Sequence, residues 1–207
     1  AYSKAIALRP SAACYSNQAN ALMAMGKYEE ALFAYQHVIN LQPNDFNVHN
    51  NMGQALAILR RYEDAIIAYD KAIAINPNFE QSYENKANVL FVTHHPIEAL
   101  ELYDKALSIK SNNLDVYILL NKKGDVLCSV GQYQEAIELY DKAILLLPNE
   151  DNAYINKGNT LYQLGFYAEA LIVYEKAIDI NPHALAPYNG KGNCLCALGR
   201  YVEAIKI

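Results

Sequence analysis

The sequence predicts an all-α fold, a right-handed α-solenoid of stacked antiparallel helix pairs. Three observations carry that prediction. A pattern of 34 residues, cleanest as DNAYINKGNTLYQLGFYAEALIVYEKAIDINPHA at Asp151–Ala184, recurs along the whole chain of 207 residues. Within each copy the apolar residues keep helical spacing: Tyr154, Gly158 and Leu161 share one face of a first helix, and Ala170, Tyr174 and Ala177 one face of a second. The breakers fall where a helix pair needs them. Gly165 stands where the first helix would end in a left-handed residue, and Pro182 where the second must stop. A unit of this kind cannot bury its own apolar stripe, so it must stack on its neighbours.

Taken in order, Ala1–Pro10 reads as the tail of a second helix, with Tyr2, Ala5 and Pro10 matching Tyr174, Ala177 and Pro182. Full repeats are expected at 12–45, 46–79, 80–113, 114–150 and 151–184, with partial repeats at 1–11 and 185–207, the whole forming a single array over 1–207. Natural arrays close with polar caps. Neither end of this sequence carries one, so the chain is expected to be a piece of a longer array or of a larger protein.

Each second helix carries an alanine at one tightly packed site: Ala31, Ala65, Ala99, Ala136, Ala170 and Ala204. A larger side chain there would overpack the joint at a cost of roughly 1–3 kcal/mol. The acidic residue before it (Glu30, Asp64, Glu98, Glu135, Glu169, Glu203) sits in the first helical turn and complements the helix dipole.

Departures from the pattern locate strain. Arg60 and His94 replace the turn glycine, at roughly 1–2 kcal/mol each if that site is left-handed. Pro96 and Pro187 lie early in their helices, where proline is tolerated. Between the third and fourth repeats Ser111 stands in place of proline, and Ala99 to Ala136 spans 37 residues. The extra residues fall within Leu114–Asn121, and the first helix of the fourth repeat is expected to begin about one turn early.

The spacing Tyr154, Gly158, Gly165, Tyr167, Ala170, Tyr174, Ala177, Pro182 resembles the tetratricopeptide repeat, and the resemblance covers essentially the whole chain. It implies a tetratricopeptide superhelix and says little about function, because such arrays serve unrelated pathways.

Of the 17 tyrosines, 15 lie at three repeat positions and are expected in the core with a polar tip outward. The net charge of −5, without a lysine or arginine run, argues against nucleic acid and against anionic membrane as partners. No apolar run reaches the length of a bilayer span, and no signal peptide is visible. Cys14, Cys128, Cys194 and Cys196 show no paired spacing, which suits reduced thiols and a cytoplasmic location.

Catalytic motifs are missing: there is no phosphate loop, HExxH, nucleophile elbow or CxxC. His37, His49, His94, His95 and His183 scatter over different repeats, and Cys194 and Cys196 point about 200° apart on one helix. The chain is therefore expected to be no enzyme, with no metal site and no cofactor.

At 100° per residue, the second, sixth, ninth and thirteenth residues of each first helix face away from the pair's own core. They are expected to line the inner wall of the superhelix. Two rows of carboxamides emerge there, with the fourth repeat aligned from Gly124 backwards. The sixth residues are Asn17, Asn51, Asn85, Lys122 and Asn156; the ninth are Asn20, Gln54, Asn88, Asp125, Asn159 and Asn193. A carboxamide offers an acceptor and two donors, so it can pair with the C=O and N–H of a peptide unit and ignore the side-chain sequence. First helices stacked ~8–10 Å apart would place one rung per three extended residues of a bound strand. At ~0.5–1.5 kcal/mol per bond, a few rungs imply micromolar binding.

The sixth-residue row is similar to the asparagine ladder in the repeat domain of O-linked N-acetylglucosamine transferases, which holds substrate polypeptides. The resemblance carries to Asn17, Asn51, Asn85 and Asn156; Lys122 and Gly190 depart from it. Arrays that clamp chaperone tails need lysine at the fifth residue of a first helix. Here that site holds Ser16, Asn50, Glu84, Asn121, Ile155 and Asn189, which excludes that subtype. Lys86, Lys123, Lys157 and Lys191 recur at the seventh residue, where their stems pack and their amines reach water.

The function expected is a protein–protein interaction scaffold that binds an extended partner peptide along the concave groove. Two alternatives stand beside it. One is the substrate-recruiting repeat domain of a larger enzyme, such as a glycosyltransferase, with catalysis outside this chain. The other is an assembly element that stacks end to end through uncapped termini.

Overall fold

The structure, a computed structural model, describes residues 11–110 and 112–207. The expected helical tail at Ala1–Pro10 and the seam residue Ser111 lie outside the described residues. Among those described are twelve helices: α1 Ala12–Ala24, α2 Tyr28–Leu41, α3 Phe46–Ile58, α4 Tyr62–Ile75, α5 Glu80–Val92, α6 Pro96–Ile109, α7 Asn113–Ser129, α8 Tyr133–Leu146, α9 Asp151–Gln163, α10 Tyr167–Ile180, α11 Leu185–Ala197 and α12 Tyr201–Ala204. There is no strand among them.

The chain divides into two compact units, the second running from Lys110 to Ile207. In the first, each helix from α1 to α6 packs on the next, and the first helices α3 and α5 also touch. In the second, α7 to α12 pack in the same sequence, and the first helices α7, α9 and α11 touch in succession. This is the helix-pair stacking that the repeat requires, because an amphipathic pair has an apolar stripe left over for its neighbour.

The break in the repeat spacing has a clear structural result. Five of the first helices have 13 residues, whereas α7 has 17, one turn more. That added turn is stabilised at its start. Asn112 accepts the backbone N–H of Asp115 at 2.9 Å, and Asp115 takes Lys110 Nζ at 2.7 Å. The bond from Lys110 first, and one from Asn112 Nδ2 to the same carboxylate, hold the carboxyl of Asp115 below its ordinary value. The extra residues also seat Tyr117, whose buried hydroxyl accepts the N–H of Ala153 on α9 at 3.1 Å.

Every first helix ends the same way. The turn residue is left-handed in all six repeats: Gly26, Gly131, Gly165 and Gly199 at φ 72–82°, Arg60 at 60° and His94 at 63°. In each case its N–H bonds a carbonyl three residues back, and the next N–H bonds one five back, as in His94→Phe91 at 3.1 Å and His95→Leu90 at 2.8 Å. The bonds require the conformation whatever the residue. Arg60 and His94 therefore carry the strain that glycine avoids.

The alanine site behaves as its size predicts. Ala31, Ala65, Ala99, Ala136 and Ala170 are wholly buried, while Ala204 is half-buried. The tyrosines correct the expectation of one core class. Tyr35, Tyr69, Tyr103, Tyr140 and Tyr174 are 1–2% exposed and form the seam of the stack. Those on the other two repeat positions are only half-buried, and Tyr201 is 62% exposed. They lie at the rim of the pair, where the hydroxyls of Tyr154 and Tyr188 each reach a proline carbonyl, Pro148 and Pro182, at 3.2 Å. His49 takes the same place in its repeat and bonds Pro43 O at 2.9 Å.

Candidate functional site

The candidate site grows out of the first helices, whose inner stripe is committed to the seam. Tyr69, Tyr140 and Tyr174 each lie against a glycine of the first helix before them. A Cβ on Gly53, Gly124 or Gly158 would stand 2.5–2.7 Å from the ring of Tyr69, Tyr140 or Tyr174, so helix and ring are in contact over backbone. That close approach leaves the sixth and ninth residues beside the seam and facing water.

Their exposure follows from this. Asn17, Asn20, Asp125, Asn159 and Asn193 are exposed, and Asn51, Gln54, Asn85, Asn88, Lys122 and Asn156 are half-buried. The structure gives the two rows different local bonding. At the ninth residue, the hydroxyl of the buried tyrosine donates to the side-chain oxygen: Tyr35 to Asn20 at 2.9 Å, Tyr103 to Asn88 at 2.6 Å, Tyr140 to Asp125 at 2.8 Å and Tyr174 to Asn159 at 2.6 Å. Burial raises the hydroxyls of Tyr35, Tyr140 and Tyr174 well above their usual value, Tyr35 to about 12, so they stay protonated donors. The carboxyl of Asp125 is also raised, by burial first and against the pull of the Tyr140 hydrogen bond.

At the sixth residue the partner is another first helix. Asn85 Nδ2 donates to Asn50 Oδ1 at 3.1 Å, and Asn156 Nδ2 donates to Asn121 Oδ1 at 3.3 Å. Asn50, 3% exposed, is the fifth residue of α3, and Asn121, 8% exposed, takes the matching place on α7 when the repeat is aligned from Gly124. Asn50 also accepts Ser82 Oγ at 3.1 Å, and Asn121 donates to Tyr117 O at 2.8 Å. Asn51 is held differently, its Oδ1 accepting Asn50 Nδ2 at 3.4 Å. Sequence reasoning placed Asn50 and Asn121 only as residues unfit to clamp a carboxylate. The signal that marks them is an amide directly before the ladder residue in the same repeat.

The sixth-residue row has a gap with a physical cause. Gly190 faces the ring of Tyr174, which also leans on Gly158, and a Cβ on Gly190 would overlap it. Beside the rows, the seventh-residue lysines lock neighbouring repeats together: Lys86–Asp70 and Lys157–Asp141 at 2.6 Å and Lys191–Glu175 at 2.9 Å. The rows form an open surface. Hollows lie elsewhere, such as one of about 480 Å³ between α8 and α10 lined by Ile144, Tyr154 and Ile172.

Among the described residues no group of histidine, cysteine and carboxylate side chains is placed to hold a metal ion. Nor is any described helix long and apolar enough to cross a membrane.

Models of the tetratricopeptide repeat match residues 46–79 and 115–183, and a model described as TPR repeat matches 19–59; together they span more than half of the chain. The chain belongs to the tetratricopeptide repeat family. No curated protein matches the sequence. Among solved structures, MamA from Desulfovibrio magneticus RS-1 is similar at 23% identity and a TM-score of 0.73, covering 83% of this chain and 95% of its own. YrrB, described as a tetratricopeptide protein with an unusual peptide-binding site, is similar at 24% identity and a TM-score of 0.71, covering 92% and 97%. PilF of Pseudomonas aeruginosa follows at 15% identity and a TM-score of 0.77, covering 93% and 86%. These likenesses establish a tetratricopeptide fold.

Proposed function

We propose that this tetratricopeptide chain binds an extended segment of a partner protein along the faces of its first helices. The observation that carries the reading is the pair of amide rows. Apart from Gly190, the sixth and ninth residues are polar and reach water in repeat after repeat, beside a seam of buried tyrosines. Amides at regular spacing suit a ligand with regular spacing, and a peptide backbone is one. The peptide-binding site described for YrrB, a chain of similar fold, supports the same class of ligand.

Specificity for backbone over side chain makes the affinity modest. Each amide–peptide bond nets ~0.5–1.5 kcal/mol, which over a few rungs and after association costs gives about micromolar binding. Binding of an immobilised library of uncharged decapeptides tests this. Wild-type chain is expected to bind a broad set of sequences. An Asn51→Ala/Asn85→Ala double variant with an unchanged melting temperature is expected to lose most of that binding, and equal binding would remove the rows from the account.

A second reading rests on a different surface. Leu185 on α11, Tyr201 and Val202 on α12 and Ile205 just after it are 62–86% exposed. Exposed apolar side chains of this size support association with another copy of the chain. Light scattering over a concentration series checks it, with Val202→Ser/Ile205→Ser as the variant expected to abolish association.

A further inference from the structure

We infer that the amide rows have a fixed hydrogen-bonding polarity, an acceptor at the sixth residue and a donor at the ninth, which selects partner segments whose backbone carries free N–H groups at the matching positions. The inference rests on the binding face proposed above and goes further by stating what that face accepts and what it refuses.

The polarity comes from which half of each amide is already engaged. On α5, Asn85 turns Nδ2 toward Asn50 and gives it one N–H, and the Asn50 oxygen is fixed as an acceptor because Ser82 Oγ also donates to it at 3.1 Å. On α9, Asn156 turns Nδ2 toward Asn121, which is oriented by its bond to Tyr117 O at 2.8 Å. Flipping either ladder amide would set oxygen against oxygen beside a buried group, an arrangement with a heavy desolvation cost. Both therefore hold Oδ1 free of the joint. Three residues along each helix the situation is reversed. Tyr103 and Tyr174 donate to Oδ1 of Asn88 and Asn159 at 2.6 Å, so Oδ1 is the engaged end of each amide and Nδ2 the end left for a ligand.

Residues three apart share a helix face, with Cβ atoms ~5–6 Å apart. Each of these two helices thus shows one acceptor followed by one donor. An extended chain carries the N–H and C=O of a single residue on the same edge, the pairing that antiparallel strands exchange. The N–H meets the sixth residue and the C=O meets the ninth, so the bound strand has one direction. Proline has no N–H and cannot occupy a matching position. The two complete pairs, Asn85/Asn88 and Asn156/Asn159, lie in different compact units, and each applies the rule locally.

The test uses the decapeptide library and a copy of it in which every peptide nitrogen is methylated. Wild type is expected to bind the first and to bind the second at least roughly tenfold more weakly, the loss that about one to two bonds produce. The decisive variant is Asn88→Asp/Asn159→Asp. Its folding is supported by α7, where Asp125 already accepts the Tyr140 hydroxyl at 2.8 Å. It keeps the tyrosine bond and replaces the outward donor with an acceptor, so binding of the unmethylated library is expected to fall at least roughly tenfold with an unchanged melting temperature. If wild type binds both libraries equally, or this variant binds as wild type does, the fixed polarity is wrong while the binding face stands. If wild type binds neither library, the binding face itself falls and the polarity with it.

Discussion

Asn85 Nδ2 lies 3.1 Å from Oδ1 of Asn50, a side chain 35 residues earlier that is almost wholly buried. One asparagine is buried in a joint so that another can be displayed beside it. The same arrangement recurs between Asn121 and Asn156. It makes the ladder a product of the stack, because a first helix standing alone would leave its amides free to rotate.

Removing Asn50 is therefore expected to cost more than an exposed amide would. Asn50→Ala leaves Ser82 Oγ, on a residue with no exposure, without its acceptor and opens a small cavity. The expected loss is about 2–3 kcal/mol, measured by urea unfolding. Asn17→Ala, at an exposed site of the same row, is expected to change stability by less than about 0.5 kcal/mol.

The left-handed turn residues offer a gain. Arg60→Gly and His94→Gly relieve backbone strain at φ 60° and 63°. Relief of ~1–2 kcal/mol is partly offset by the added freedom of glycine in the unfolded chain. Each substitution is expected to stabilise the protein by about 0.5–1 kcal/mol, and the two together nearly additively, in thermal melts.

Filling the gap in the ladder is expected to fail. Gly190→Asn would continue the sixth-residue row, but its Cβ would overlap the Tyr174 ring, which is backed on its other side by Gly158. The expected cost is roughly 1–3 kcal/mol, read from the shift in unfolding midpoint. Pairing it with Tyr174→Leu, which trims the ring, is expected to recover part of the loss that Gly190→Asn adds.

Alkaline pH tests the buried hydroxyls. Burial raises Tyr35 from 10.0 to about 12, and Tyr69, Tyr140 and Tyr174 also rise. Above pH 10 the unfolded chain ionises these groups while the folded chain does not. Their contribution is thus fully present below pH 10 and is lost as the pH rises from there through each folded value, about 12 for Tyr35 and higher for the other three. Urea midpoints are expected to fall across that window, and a Tyr35→Phe variant, weaker at neutral pH for want of its bond to Asn20, is expected to fall less steeply.

Much of this molecule was legible in one dimension. A helix pair is a local object: periodic apolar residues, a glycine or its stand-in at the turn and a proline at the stop specify it within a few tens of residues. Stacking is then compulsory. That is why the helices, the early start of α7 and the left-handed turns at Arg60 and His94 could all be placed from the sequence. The angle per residue says which way a side chain points and is the same in every copy.

What the sequence could not say was which half of each amide remains available, or that the tyrosines divide into a buried seam and a half-exposed rim. Those outcomes depend on pairs such as Asn50 with Asn85, Asn121 with Asn156, and Tyr103 with Asn88. Their members lie 15 to 35 residues apart and meet only because the helices stack. Helical periodicity sets the direction of a side chain from its own backbone alone. Its hydrogen-bonding partner, and so the polarity it shows to water, belongs to the neighbouring helix, and only packing brings that helix within reach.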